Sequence, residues 1–131
     1  MCLTLESDYA VRITGCLAAG SGRLDAGKIA EETGVTLRFA LKILRKLVGS
    51  GIVVSFKGIG GGYELARSPS EITLLDVVEA IEGDYFINRC HEDSFECTRI
   101  NKALCTYRSI FEEISRDTRD KLSAHHFGEL I

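Results

Sequence analysis

Residues 36–67 read TLRFALKILRKLVGSGIVVSFKGIGGGYELAR, and two different periodicities stand back to back in them. In the first part Ala40, Ile43, Leu44 and Leu47 recur at helical spacing and mark one apolar face. Arg38, Lys42, Arg45 and Lys46 fall elsewhere on the same helix, which is predicted from Leu37 to about Gly49 with Thr36 as its cap. The pattern then changes. Ile52-Val53-Val54-Ser55-Phe56 is rich in β-branched residues, KGIGGG is a turn, and Tyr63-Glu64-Leu65-Ala66 alternates, so a β-hairpin follows the basic helix directly.

Upstream, Asp25 is placed to cap a short helix from Ala26 to Thr33, and Gly34 stops it. The spacing Ala30-x-x-x-Gly34 suits two helices that approach closely across a tight turn. Two short helices so joined, the second basic, make a helix-turn-helix, and the hairpin occupies the place of a wing. A first helix is predicted from Leu5 to Ala19, capped by Thr4, with Tyr9, Ile13, Cys16 and Leu17 as its buried stripe.

Downstream of Ser68-Pro69, Thr73 and Asp76 offer a capping box to a helix from Leu74 to Glu82, ended by Gly83. Residues 84–98 have little periodicity and read as a loop carrying Cys90 and Cys97. From Ile100 the apolar positions Ile100, Leu104, Tyr107, Phe111, Ile114 and Leu122 lie close to a heptad seam with Thr118 as its weak place. Such a stripe needs a partner, and pairing with a second subunit is expected. The fold class is therefore mainly α with a small β-hairpin wing (α+β): a winged helix-turn-helix plus a long C-terminal dimerisation helix. Residues 1–83 form the expected DNA-binding region and 84–131 the cysteine-containing loop and dimerisation helix, all within one compact domain.

At 131 residues the chain has room for one core, and 45% apolar with 27% charged residues fits a globular protein. The start, MCLTLESDYAVRI, has no basic segment leading into an apolar run, and no stretch reaches membrane-spanning length. A cytoplasmic protein is expected. The net charge of −3 hides a split: residues 1–70 carry nine Lys/Arg against six Asp/Glu, and residues 71–131 seven against thirteen. No acid occurs between Glu32 and Glu64. The first half is thus the part suited to a polyanion. Residues 28–62 form the candidate surface for a double-stranded DNA operator, with Lys28, Thr36, Leu37, Arg38, Lys42, Lys57 and Gly60 as contact residues. Arg38 and Lys42 are placed to reach phosphates or base edges, and Lys57 with the hairpin glycines lets the wing lie on the backbone.

The glycine run does not fit a nucleotide site. The dinucleotide fingerprint needs a glycine where Tyr63 stands, and the P-loop Gly-Lys-Ser/Thr is absent. No catalytic constellation stands out, so neither an enzyme nor a small-molecule substrate is expected. Five cysteines are many for a short chain in a reducing compartment, which favours metal binding or redox sensing. Cys90, Cys97 and Cys105 are separated by six and seven residues and form no Cys-x-x-Cys. They still suit an iron–sulfur cluster, whose sites accept varied spacings. Reduced cysteines without metal remain the alternative. His91, Glu92, Asp93 and Glu96 are nearby candidates for a further ligand. Cys16 reads as core, and His125-His126 as solvated residues at a frayed end.

The chain resembles the IscR/NsrR-type family of winged-helix repressors over nearly its whole length. The resemblance rests on Leu3-Thr4 with Asp8-Tyr9-Ala10-Val11-Arg12, on Ile29-Ala30-Glu31, and on Lys42-Ile43-Leu44-Arg45-Lys46-Leu47 leading to Gly51-Ile52-Val53. Its most specific part is Lys57-Gly58-Ile59-Gly60-Gly61-Gly62-Tyr63-Glu64-Leu65-Ala66-Arg67, followed by Pro69, Ile72-Thr73, Glu82-Gly83 and the three downstream cysteines. The resemblance implies a homodimeric transcriptional repressor whose recognition helices enter successive major grooves. It also implies that an iron–sulfur cluster, [2Fe–2S] or [4Fe–4S], sets operator affinity in response to redox state, nitric oxide or iron–sulfur status. Cys90, Cys97 and Cys105 would be its ligands. Arg108 stands where one branch has a ligating histidine, so the resemblance points to Asp8, from the partner subunit, as the fourth. Lys57 replaces the family's usual arginine, and Leu41 a position often acidic. A cluster-free thiol sensor on DNA and a zinc-binding winged-helix interaction module are the alternatives.

Overall fold

The computed structural model describes residues 3–20, 22–91, 95–98 and 105–131. It contains helices α1 (Leu5–Ala19), α2 (Ala26–Thr33), α3 (Leu37–Gly49), α4 (Leu74–Glu82) and α5 (Thr106–Ser123). Strands β1 (Val53–Phe56) and β2 (Gly62–Leu65) pair antiparallel between α3 and α4, with Val53 opposite Leu65 and Phe56 opposite Gly62.

The helix starts obey local chemistry. The Thr4, Asp25 and Thr36 side chains accept from the backbone N–H groups of Ser7, Lys28 and Phe39, at 3.2, 2.8 and 3.3 Å. Thr73 and Asp76 close a reciprocal capping box at 3.1 and 3.0 Å. Gly34 ends α2 at φ +71°, a left-handed conformation that suits glycine at a helix end, and its N–H reaches Ala30 O.

α1 lies at the centre, against α2, α3, α4 and β2. Ile13 and Leu17 are buried as expected, but Tyr9 and Cys16 are only partly so, and Ser7, Ala10 and Thr14 are fully buried instead. The reason is that α1 is enclosed on several sides, and its neighbours come close only over small side chains. The buried Thr14 hydroxyl donates to Ala10 O at 2.8 Å, so no donor is stranded. The inner face of α3 (Ala40, Ile43, Leu44, Leu47) is fully buried and joins Ile29, Ile52, Val53, Ile72 and Val77 in one core.

Two long-range features do not follow the one-dimensional reading. Leu24, before α2, forms a one-residue antiparallel bridge to Tyr63, so the wing has a third edge. The chain end is not frayed: after α5 it turns back, His126 bridges Thr73, and Phe127 enters the core at 2% exposure. Phe127 N–H donates to Ile72 O and Gly128 N–H to Pro69 O, both at 3.0 Å. Residues 84–98 are irregular where described, apart from a single 3-10 turn at Arg89–His91. Cys105 has extended backbone and caps α5, so that helix starts at Thr106; Ile100 and Leu104 of the predicted seam lie outside the described residues. None of the described helices is long and apolar enough to cross a membrane.

Candidate nucleic-acid interface and cysteine cavity

The outer face of α3 is open. Leu37, Arg38, Phe39, Leu41, Lys42 and Arg45 line a shallow groove along it. Leu37 and Leu41 are about half exposed, at 50% and 42%, and offer apolar contact beside the cations. Arg38 and Arg45 form no ion pair among the described residues, whereas Lys42 and Lys46 both turn toward α1 and share the Glu6 carboxylate. Lys42 meets Oε1 at 2.5 Å and Lys46 meets Oε2 at 2.7 Å. These two hydrogen-bonded ammonium groups hold the Glu6 carboxyl down to about 2. Glu6 is a residue that periodicity alone does not single out, since the pairing joins segments 36 and 40 positions apart.

The other predicted contacts are distributed around this face. Thr36 caps α3, and Lys28 lies on α2 beside Glu31 and Glu32 at 4.0 and 3.8 Å. Lys57 and Gly60 are exposed at the wing, where Gly58, Gly60 and Gly62 take positive φ. A Cβ on Gly61 would lie 2.4 Å from Phe56 O, and one on Gly62 would lie 2.6 Å from Leu24 O, so the turn closes only with glycine at both. Ile59 stands fully exposed at the tip. The Arg23 guanidinium stacks 3.4 Å over the Phe56 ring and braces the hairpin from the α1–α2 connection.

Cys90, Cys97 and Cys105 line one cavity of about 600 Å³ with Asn88, Phe95, Glu96, Tyr107, Arg108 and Phe111. The fold thus brings the loop cysteines to the start of α5. The Cys105 sulfur accepts from Arg108 N–H at 3.4 Å, at a helix end that favours negative charge. Among the described residues, no three His, Cys, Asp or Glu side chains stand close enough together to hold a metal ion. Asn88 was not legible as a site residue: both of its side-chain polar atoms are buried and neither has a hydrogen-bond partner among the described residues. Of the nearby acids, Glu96 lines the cavity, and Glu92 and Asp93 lie outside the described residues. Asp8 lies on α1, paired with Arg12 at 2.8 Å, and does not line this cavity. Cys16 stands apart on α1: burial first, then a hydrogen bond to Glu32 at 3.3 Å, pushes its thiol up to about 11.

The segment that leads into the cavity is tied to α4 and α5. Ile87 N–H donates to the buried Ser115 hydroxyl of α5 at 3.0 Å. Glu79 of α4 accepts from Tyr85 N–H at 3.2 Å and from Arg119 of α5 at 2.7 Å. Along α5, Tyr107, Ile110, Phe111 and Ile114 form an exposed apolar stripe at three- and four-residue spacing.

A basic reading helix with an open face, a tight turn before it and a glycine-tipped hairpin after it define a winged helix-turn-helix regulator of transcription. The particular family follows from comparison: residues 3–131 match the Rrf2 family, described as an iron-dependent transcriptional regulator, and the chain belongs to it. Among relatives, protein aau3 of Rhizobium meliloti is 40% identical over 93 residues, covering 70% of this chain and 60% of that protein. Protein rrf2 of Nitratidesulfovibrio vulgaris is 31% identical over all of this chain and 87% of its own length. The transcriptional regulator IscR of Aliivibrio salmonicida is 30% identical over all of this chain and 77% of its own. Two solved structures share the fold. IscR of T. potens has a TM-score of 0.77 at 23% identity, covering 99% of this chain and 85% of that one. CymR, the global cysteine regulator of B. subtilis, has 0.78 at 22%, covering 99% and 95%.

Proposed function

We propose that this chain is a homodimeric repressor whose operator affinity is set by an iron–sulfur cluster held by Cys90, Cys97 and Cys105. The observation that carries this reading is the single cavity lined by all three cysteines, drawn from two separated segments. The chemistry of the cavity fits such a group. It offers three cysteine sulfur donors, one of them at a helix N-terminus, and a buried amide on Asn88, without a partner among the described residues, that can hydrogen-bond to sulfur. A bound cluster would supply one-electron chemistry and sensitivity to oxygen and nitric oxide. The partner subunit's Asp8 is the proposed fourth ligand.

In this reading residues 1–83 bind DNA and 84–131 sense and dimerise. Arg38 and Arg45 of α3, Leu37 and Leu41 in the same groove, and Lys57 with Gly60 on the wing make the principal contacts, Thr36 orients the start of α3, and Lys28 and Lys42 add positive charge at the edges. The exposed stripe of α5 pairs with its copy in the second subunit. Ligation ties the Cys90–Cys97 segment to the start of α5, and Ile87, Ser115, Arg119 and Glu79 relate that segment to α4. A change of ligation state alters operator affinity only as far as one dimer geometry binds the cluster better than the other.

The test is a visible spectrum with iron and sulfide analysis on protein purified without oxygen. Brown protein with roughly equal iron and sulfide supports the reading. Colourless protein that stays so after reconstitution overturns it. A cluster-free thiol switch is the second reading, favoured by the observation that no three potential ligands converge among the described residues. Two of the three thiols would then form a disulfide as peroxide is reduced to water, and mass spectrometry after peroxide would show that disulfide.

A further inference from the structure

The Glu6–Lys42–Lys46 cluster is a close charged contact at the edge of the α3 groove, and the proposed function uses only its Lys42. Lys42 and Lys46 are one turn apart on α3, so their ammonium groups fall side by side. Each takes a different oxygen of one carboxylate. Glu6 is in the first turn of α1, where a negative charge is also favoured by the helix end. A carboxylate bridging two ammonium groups has the charge and the acceptor geometry of a DNA backbone phosphate.

We propose that Glu6 is an internal phosphate mimic that restrains this chain's affinity for DNA of arbitrary sequence. The inference rests on the reading that the outer face of α3 meets DNA. Lys42 is half exposed and lines the groove with Arg38 and Arg45, so an approaching phosphate competes with Glu6 for it. Displacement leaves an anion beside the phosphate; no displacement leaves Lys42 compensated. In either case electrostatic attraction is lowered, while contacts from Arg38, Arg45, Leu37 and Leu41 to base edges are untouched. Sequence-independent binding is mostly counterion release and suffers most. Base contacts keep their discrimination. Glu6 is thus a specificity-determining residue that makes no contact with a base.

The test is fluorescence anisotropy of a random-sequence DNA duplex titrated with the full chain across a salt series, for the wild type, Glu6→Gln and Arg38→Ala/Arg45→Ala, with a thermal melt of each. Glu6→Gln is expected to bind several-fold tighter at low salt, with a log–log salt slope steeper by about one unit. Affinity and slope equal to or below the wild type, with an unchanged melt, would overturn the inference and make the pair structural only. Loss of slope in Arg38→Ala/Arg45→Ala shows separately that α3 meets DNA. Should that double variant match the wild type, the reading of the α3 surface itself fails, and this inference with it.

Discussion

The backbones of Leu24 and Tyr63 exchange two hydrogen bonds, Leu24 N–H to Tyr63 O at 3.0 Å and Tyr63 N–H to Leu24 O at 2.8 Å. This bridge anchors the wing to the segment that leads into α2. Gly62, next to it at φ +141°, leaves no space for a Cβ. Gly62→Ala is expected to break the bridge and destabilise the fold by about 2 kcal/mol, from strain and the close approach together. Denaturant unfolding checks it, and an unchanged midpoint would show that the bridge is dispensable.

Phe127 fixes the end of the chain. Its side chain is almost wholly buried in the core that contains Ile29, Ile43 and Ile72. Phe127→Ala should cost roughly 3 kcal/mol or more through lost burial and a residual cavity. A melt within a degree of the wild type would mean that the returning tail is not held by its ring.

The α5 stripe can be tested without disturbing the core or the cysteine cavity, because Ile110 is 49% exposed and does not line that cavity. Ile110→Glu places a charge in the middle of the proposed subunit contact. Sedimentation should show a smaller species than the dimer proposed for the wild type, with the helix content unchanged. A dimer of undiminished strength would move the contact to another surface.

Asn88 gives a prediction of opposite sign for stability and for the cofactor. A buried amide with no partner costs about 1 kcal/mol or more, so Asn88→Leu should raise the stability of metal-free protein. If the amide hydrogen-bonds to cluster sulfur, the same variant should lose iron faster to a chelator. Equal chelation rates would remove Asn88 from the cluster's surroundings.

Cys16 should be inert near neutral pH. Its thiol is raised from an ordinary 9.0 to about 11, so almost no thiolate is present at pH 8. Because the folded state holds this proton more tightly than the unfolded chain, the stability linked to it is present below pH 9 and falls as pH rises toward 11. Alkylation mass spectrometry at pH 8 should leave Cys16 unmodified in native protein. Glu32→Gln should speed its labelling, since one of the influences raising the thiol is then gone. Rapid modification of Cys16 in the wild type would contradict this environment.

The helix limits were readable in the sequence because their causes are local. Thr4, Asp25, Thr36 and Thr73 each cap a backbone N–H three residues on, and Gly34 needs only its own left-handed φ. The inner face of α3 was readable for the same reason, since one apolar stripe at helical spacing meets one core. The cysteines were visible as residues, but their common cavity depends on how the described parts of the 84–98 loop meet the start of α5. The rotated face of α1, the Leu24–Tyr63 bridge, the return of Phe127 and the lysine pair on Glu6 all join segments far apart in the chain. Periodicity and capping act within one or two helical turns and carry no term for such contacts. Which partner each of these residues meets was settled only when the helices packed, because close packing selects one face and one neighbour from several that the local pattern allows.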